Sequence, residues 1–139
     1  MTRILLVRHC EAEGNHKRVF QGHTDAAVSE NGRRQLELLA LRCRNMDIGA
    51  MYSSPLRRAY ETAQAINEYH HLPIRTDAGL IEIDGGVWEG KPWEKLPELY
   101  PDDAKAWNAR PWDFAPEGGE PWVSDVLERT VLHSSVTVD

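Results

Sequence analysis

The stretch that decides the fold is Ile4-Leu5-Leu6-Val7-Arg8-His9-Cys10-Glu11, with Asn15 four residues further on. Four consecutive aliphatic residues read as a short strand buried on both faces, although periodicity alone does not separate this from a buried helical turn. The polar residues after Val7 then sit at the strand's carboxyl end, the edge at which open α/β sheets bind ligands. A guanidinium beside an imidazole there suits an anion. Arg grips a phosphate with paired hydrogen bonds, and a neutral imidazole can attack it.

The rest of the chain limits what that anion can be. At 139 residues the expectation is a single domain spanning residues 1–139, able to bury about two-thirds of its unfolded surface. A formal net charge of −6 argues against a general nucleic-acid or anionic-membrane surface, since both need a basic face. A small anionic substrate must therefore be met by a local positive cluster. Cys10 and Cys43 are too few for a disulfide scaffold and lack metal-type spacing, so free thiols in a reducing cytoplasm are expected. No charged start followed by a long apolar segment marks a leader, and no apolar run approaches the ~20 residues of a membrane helix.

Along the chain, Ser29 is a suitable helix cap, and Leu36, Leu39, Ala40 and Cys43 follow at helical spacing, predicting a helix that ends near Asn45. Residues 48–52 read as a second strand. A second helix then follows with Ala59, Ala63, Ile66 and Tyr69 on one stripe. Between them, Ser53-Ser54-Pro55-Leu56-Arg57-Arg58 places polar groups at a helix start, where free amides favour an anion; a solvated helix surface is the plainer reading of both arginines. His70-His71 has no carboxylate at ligand spacing, so no metal is expected. Residues 72–75 begin a third extended piece, with Pro73 marking an edge or an entry.

Glu82 lies between Ile81 and Ile83, a setting in which a carboxyl could be desolvated and held ready to protonate a leaving oxygen. An edge carboxylate pointing to water would look the same. From Lys91 to Trp122 the chain is rich in Trp and Pro, which predicts short turns rather than one long helix, with the Trp side chains used mainly in packing.

Four separated motifs then carry a resemblance. Leu6-Val7-Arg8-His9-Cys10-Glu11 with Asn15, the Gly22-x-x-Asp25 stretch, Ser53-Ser54-Pro55-Leu56-x-Arg58-Ala59-x-x-Thr62-Ala63, and Leu80-x-Glu82 with Gly86-x-Trp88-Glu89-Gly90 together resemble the histidine phosphatase superfamily, the phosphoglycerate mutase-like proteins. Cys10 stands where that family has Gly. The resemblance implies a three-layer α/β fold with a mostly parallel central sheet flanked by helices. It implies His9 as phosphate-attacking nucleophile, Arg8 and Arg58 as phosphoryl ligands, Asn15 and Gly22 at the phosphate pocket, and Glu82 as proton donor. Arg57 is then left to solvent. The substrate class is a small phosphorylated metabolite, with no cofactor and no metal, the arginines neutralising the charge that Mg²⁺ meets elsewhere. The 91–122 segment would also cover the pocket mouth and shape substrate choice.

The family completes its pocket with a second His, at the end of a later strand and before Gly. After Arg129 the sequence offers only His133, without that setting. The expectation is therefore a fold incomplete at its carboxyl-terminal side, with an unpaired sheet edge that promotes self-association. Losing one such donor typically costs roughly 2.7–4 kcal/mol in the transition state. Residues 116–120 and the apolar stripe Val123, Val126, Leu127 and Val131 resemble the family's Gly-Glu-Ser segment and following helix, with Pro121 in place of Ser. The leading function is phosphomonoester hydrolysis, or mutase chemistry, through phospho-His9. One rival uses Cys10 as nucleophile, but His16 stands where that phosphate loop needs Arg. The other is a catalytically impaired binder of a phosphorylated ligand or of a protein.

Overall fold

The computed structural model describes residues 3–121. The helix stripe 123–131 and His133 lie outside them. The class is α/β. In chain order the helices and strands are α1 (Glu13–His16), α2 (Glu30–Cys43), β1 (Met51–Ser53), α3 (Arg57–Asn67), β2 (Ile74–Thr76), α4 (Leu96–Leu99) and α5 (Pro101–Ala109). Helix α2 begins as its sequence predicts, with Ser29 in extended conformation and its Oγ accepting from the Gly32 amide at 3.0 Å. That bond satisfies one of the donors a helix start leaves free.

Strands β1 and β2 pair in parallel, Met51 opposite Ile74 and Ser53 opposite Thr76. Parallel strands need a crossover, and α3 supplies it. One core lies between these elements: Cys43 from α2, Met51 from β1, and Ala63 and Ile66 from α3, with Leu39, Met46, Ile48 and Ile74 packed against them. The α3 stripe differs from its sequence expectation. Tyr69 lies beyond the helix end and is exposed, while Arg58 and Thr62 join Ala63 and Ile66 on the buried side.

A second core is aromatic. Phe20, Trp88, Leu96 and Phe114 are buried together, with Trp107 against them; Trp88 meets Phe20 edge-on at 5.9 Å and Phe114 at 5.2 Å between ring centroids. Each such aromatic pair adds roughly 0.5–1.5 kcal/mol beyond burial. The 91–122 segment is built of short elements interrupted by proline, as predicted, but its Trp side chains pack only in part: Trp107 lies against this core and Trp93 meets Phe20 at 5.0 Å, while Trp93 and Trp112 are exposed and Trp122 lies outside the described residues. Pro101 opens α5 at a position where its missing N–H costs nothing. Backbone bonds from Phe20 to the Lys91 carbonyl (2.9 Å), from Gly90 to the Phe20 carbonyl (3.0 Å) and from Trp93 to the Arg18 carbonyl (3.0 Å) fasten the loop before residue 22 to this core.

One expectation is overturned. Residues 4–7 do not form a buried strand: Ile4 is 80% and Leu6 94% exposed, and even Val7 is exposed. The sheet of the described residues has two strands, and neither is this one. An aliphatic run stays in solvent when no neighbouring strand offers its backbone a ladder and its side chains a face.

Candidate active site

The Arg8–Glu11 segment is held by side chains and by one backbone bond, from the Ser29 amide to the Glu11 carbonyl at 3.1 Å, rather than by a sheet. The Cys10 amide donates to Thr62 Oγ1 at 2.9 Å, and that hydroxyl donates to the Arg58 carbonyl at 2.6 Å. The Glu11 amide donates to Gln35 Oε1 at 2.8 Å, and the Ser29 hydroxyl donates to Glu11 Oε1 at 2.5 Å. The segment is thereby pinned between α2 and α3. A cleft of about 280 Å³ opens there, lined by Arg8, His9, Cys10, Glu11, Asn15 and Gln35.

His9 is half-buried, with its Nδ1 2.6 Å from the Cys10 carbonyl. A carbonyl only accepts, so Nδ1 carries the proton, and the neutral ring keeps its lone pair on Nε2. Burial lowers the His9 pKa. The Cys10 hydrogen bond opposes that, the charges of Arg58 and Arg8 lower it further, and Glu82 raises it, with a net shift below 6.5. The ring is therefore held neutral near pH 7, the form that attacks phosphorus.

Arg58 is 3% exposed. It donates from Nη1 to the Thr24 carbonyl at 2.8 Å and from Nη2 to the Gly22 carbonyl at 2.9 Å. Burial lowers its pKa, against the raising charges of Asp25, Glu82 and Glu89. Gly22 is the only residue type its position admits without displacement: a Cβ there would lie 1.8 Å from the Ile83 carbonyl oxygen. Asn15 is exposed, and its Oδ1 accepts from the Ala12 amide at 2.9 Å, which leaves its NH₂ group as the available donor.

Of the two readings the sequence left open for Glu82, the water-facing one holds: Glu82 is exposed, with Oε1 accepting from the Ile83 amide at 3.0 Å, and its aliphatic neighbours in sequence do not desolvate it. The start of α3 is not an open anion site throughout: Asp25 Oδ1 accepts from the Arg57 amide at 2.7 Å, and the exposed Arg57 side chain returns a bond to the Asp25 carbonyl at 3.1 Å. Burial pushes the Cys10 thiol pKa up, with the Thr62 hydrogen bond opposing. That works against the thiolate its nucleophilic rival requires.

His70 and His71 part company. His70 Nε2 donates to the Cys43 carbonyl at 2.9 Å, tying the end of α3 to α2, while His71 is exposed at φ 56°. Among the described residues no group of three or more His, Cys, Asp or Glu is arranged to hold a metal, and no helix is long and apolar enough to cross a membrane. Three residues that shape the site carried no role in the sequence reading: Thr62, Gln35 and Glu89. Thr62 and Glu89 stand inside quoted motifs, but their partners are distant in sequence. Gln35 has no motif at all.

The fold and site together define a parallel α/β protein with a half-buried histidine lining a cleft beside Arg8 and Asn15, and with the charge of Arg58 acting on its ring. The chain belongs to the histidine phosphatase superfamily, branch 1, whose model matches residues 4–132. It is 39% identical over 120 residues to phosphoserine phosphatase 1 of Hydrogenobacter thermophilus, covering 86% of this chain and 57% of that one. It is also 39% identical over 103 residues to the uncharacterized phosphatase PhoE of Bacillus subtilis, covering 74% and 53%. Among solved structures, a mycobacterial glucosyl-3-phosphoglycerate phosphatase bound to VO₃ superposes with a TM-score of 0.82 at 30% identity, over 92% of this chain and 63% of that one. The chain thus spans between half and two-thirds of the length of these relatives.

Proposed function

We propose that the chain carries phosphomonoesterase chemistry on a small phosphorylated metabolite by a phosphohistidine route. The observation that carries this reading is the His9 ring, proton fixed on Nδ1 by the Cys10 carbonyl and Nε2 free, within the field of Arg58, Arg8 and Glu82. Arg8 and the uncommitted N–H groups of Arg58 hold the phosphoryl oxygens, with the Asn15 NH₂ group as a further donor and the Gly22 backbone close by. His9 Nε2 forms the N–P bond as the P–O bond to the substrate breaks. Glu82, in its protonated form, gives a proton to the departing oxygen. Water then attacks phospho-His9, Glu82 takes a proton from it, and phosphate leaves; a substrate hydroxyl in place of water would make the reaction a mutase.

Relatives named for phosphoserine and glucosyl-3-phosphoglycerate place phosphorylated small acids first among substrates to assay. A cytoplasmic setting fits the two free cysteines, both buried. Self-association is the proposed use of the exposed aliphatic run at residues 4–7.

The test is phosphate release from an aryl phosphate, phosphoserine and a panel of phosphorylated acids in EDTA, by the full chain and by His9→Ala. Turnover that vanishes in the variant, with acid-labile label recovered on His9, supports the route. A folded chain that binds inorganic phosphate without turnover sinks it and leaves the catalytically impaired binder.

A further inference from the structure

Glu89 touches no part of the cleft, yet it is the most heavily hydrogen-bonded carboxylate among the described residues. Its Oε1 accepts from the amides of Gly22 (2.9 Å), His23 (3.0 Å) and Gly85 (2.9 Å). Its Oε2 accepts from the Thr24 amide at 3.2 Å and from the Thr24 hydroxyl. Burial would raise its pKa, but the Thr24 hydroxyl and the Gly85, His23 and Thr24 amides outweigh it and hold the group below its ordinary value. It is thus a carboxylate at neutral pH.

The peptide unit between Gly22 and His23 connects this carboxylate to the site. In a trans peptide the N–H and C=O point in opposite directions. Here the His23 N–H donates to Glu89 while the Gly22 C=O of the same unit accepts from Arg58 Nη2 at 2.9 Å. One residue on, Thr24 gives its amide and hydroxyl to Glu89 and its carbonyl to Arg58 Nη1. Hydrogen bonds chained through one peptide unit polarise and strengthen one another. The loop has no slack to adopt another arrangement, since even a methyl group on Gly22 would collide with the Ile83 carbonyl and approach Glu89 Oε1 to 2.7 Å.

We propose that Glu89 is a positioning residue for Arg58: by gathering the amides of residues 22–24 it turns the Gly22 and Thr24 carbonyls onto the guanidinium and fixes how the remaining N–H groups are aimed at phosphate. This rests on the reading of Arg58 as a phosphoryl ligand. Glu89 acts through the loop and touches neither substrate nor the reacting atoms.

The experiment is a double-mutant cycle on the full chain with Glu89→Gln and Arg58→Ala, reading inorganic phosphate affinity by titration calorimetry and, in the ligand-free protein, the Arg58 Nε–H resonance and amide exchange at residues 22–24. Glu89→Gln should weaken phosphate binding on the order of tenfold, a range typical of losing one charge-assisted bond. In the Arg58→Ala background the same change should alter affinity less than about twofold, because the group it positions is gone. In the free protein it should broaden or shift the Arg58 resonance and speed exchange at residues 22–24. An equal loss of affinity in both backgrounds, or an unmoved Arg58 resonance, overturns the proposal. Wild-type protein that binds no phosphate overturns the reading of the site instead, and the Arg58 resonance still decides the role of Glu89.

Discussion

Two short stretches behave against their composition. Residues 4–7 are aliphatic and lie in solvent, whereas residues 22–25, Gly-His-Thr-Asp, are polar and are among the most firmly bonded parts of the molecule. Apolar side chains are buried only when a second surface meets them, and residues 4–7 have none among the described residues. A polar loop can be ordered without a hydrophobic face when its donors and acceptors find partners, and here Glu89 takes the amides of residues 22–24 while Arg58 takes the Gly22 and Thr24 carbonyls.

The sharpest way to break this contrast is Arg58→Ala. It leaves the Gly22 and Thr24 carbonyls without their charged donor and removes the proposed phosphoryl ligand. Hydrogen bonds to charged groups contribute about 1.5–3 kcal/mol each, and buried acceptors left unpaired add to the loss. Phosphate affinity should fall by at least about a hundredfold, the consequence expected for two charge-assisted bonds, and urea unfolding should show a lower midpoint. Wild-type affinity in this variant would separate the loop's order from the site. Gly22→Ala should disturb the loop first and, through the Gly22 carbonyl on Arg58, the site to a lesser degree than Arg58→Ala: forcing a methyl against the Ile83 carbonyl costs about 1–3 kcal/mol as overpacking. Circular dichroism melts would register it, and an unchanged melting temperature would mean that the loop yields easily.

The pH response of His9 follows from the same surroundings. Its folded pKa lies below 6.5, the ordinary value, with burial the first cause. Below the folded value both states bind the proton, and above 6.5 neither does. Between the two the unfolded chain binds more protons, so stability rises with pH through that window and is level above it. The acid limb of kcat/KM should accordingly fall below pH 6.5. Arg8→Gln removes a charge that lowers the pKa and should move the His9 NMR titration to higher pH; Glu82→Gln removes one that raises it and should move it lower. Shifts of the opposite sign would place these side chains away from the ring.

How much was legible in the sequence follows the same division. Local signals were read correctly where they depend on neighbours in the chain: the Ser29 cap, the helix it opens, and the proline-divided segment after residue 91; the parallel pairing came only with the family resemblance. The motifs also brought forward Arg8, His9, Arg58 and Glu82, whose charges meet around the His9 ring. What was not legible depends on distant partners. Ile81 and Ile83 leave Glu82 open between a desolvated and a water-facing carboxyl, because flanking residues in an extended segment point elsewhere; the carboxyl is exposed. Nothing near Glu89 in sequence announces Gly22, His23 and Thr24, and nothing near Gln35 announces Glu11. The Ile4–Val7 run failed for the complementary reason, since hydrophobicity states a demand for burial and not whether a surface is there to meet it.

Leu6→Asp carries the smallest expected effect and tests that last distinction. With Leu6 94% exposed, a charge there removes almost no buried surface, and surface substitutions of this kind usually change stability by less than about 0.5 kcal/mol. A buried strand residue would behave otherwise, since a carboxylate placed in a packed core without a partner costs several kcal/mol or shifts its pKa to avoid the charge. Unfolding of the wild type and of Leu6→Asp should therefore coincide at low protein concentration. If the wild type alone gains stability as concentration rises, the run is covered by a second copy, because only association makes stability depend on concentration. If the variant is strongly destabilised even when dilute, residues 4–7 are buried within one chain. The contrast between the bare aliphatic run and the hydrogen-bonded polar loop would then have to be redrawn.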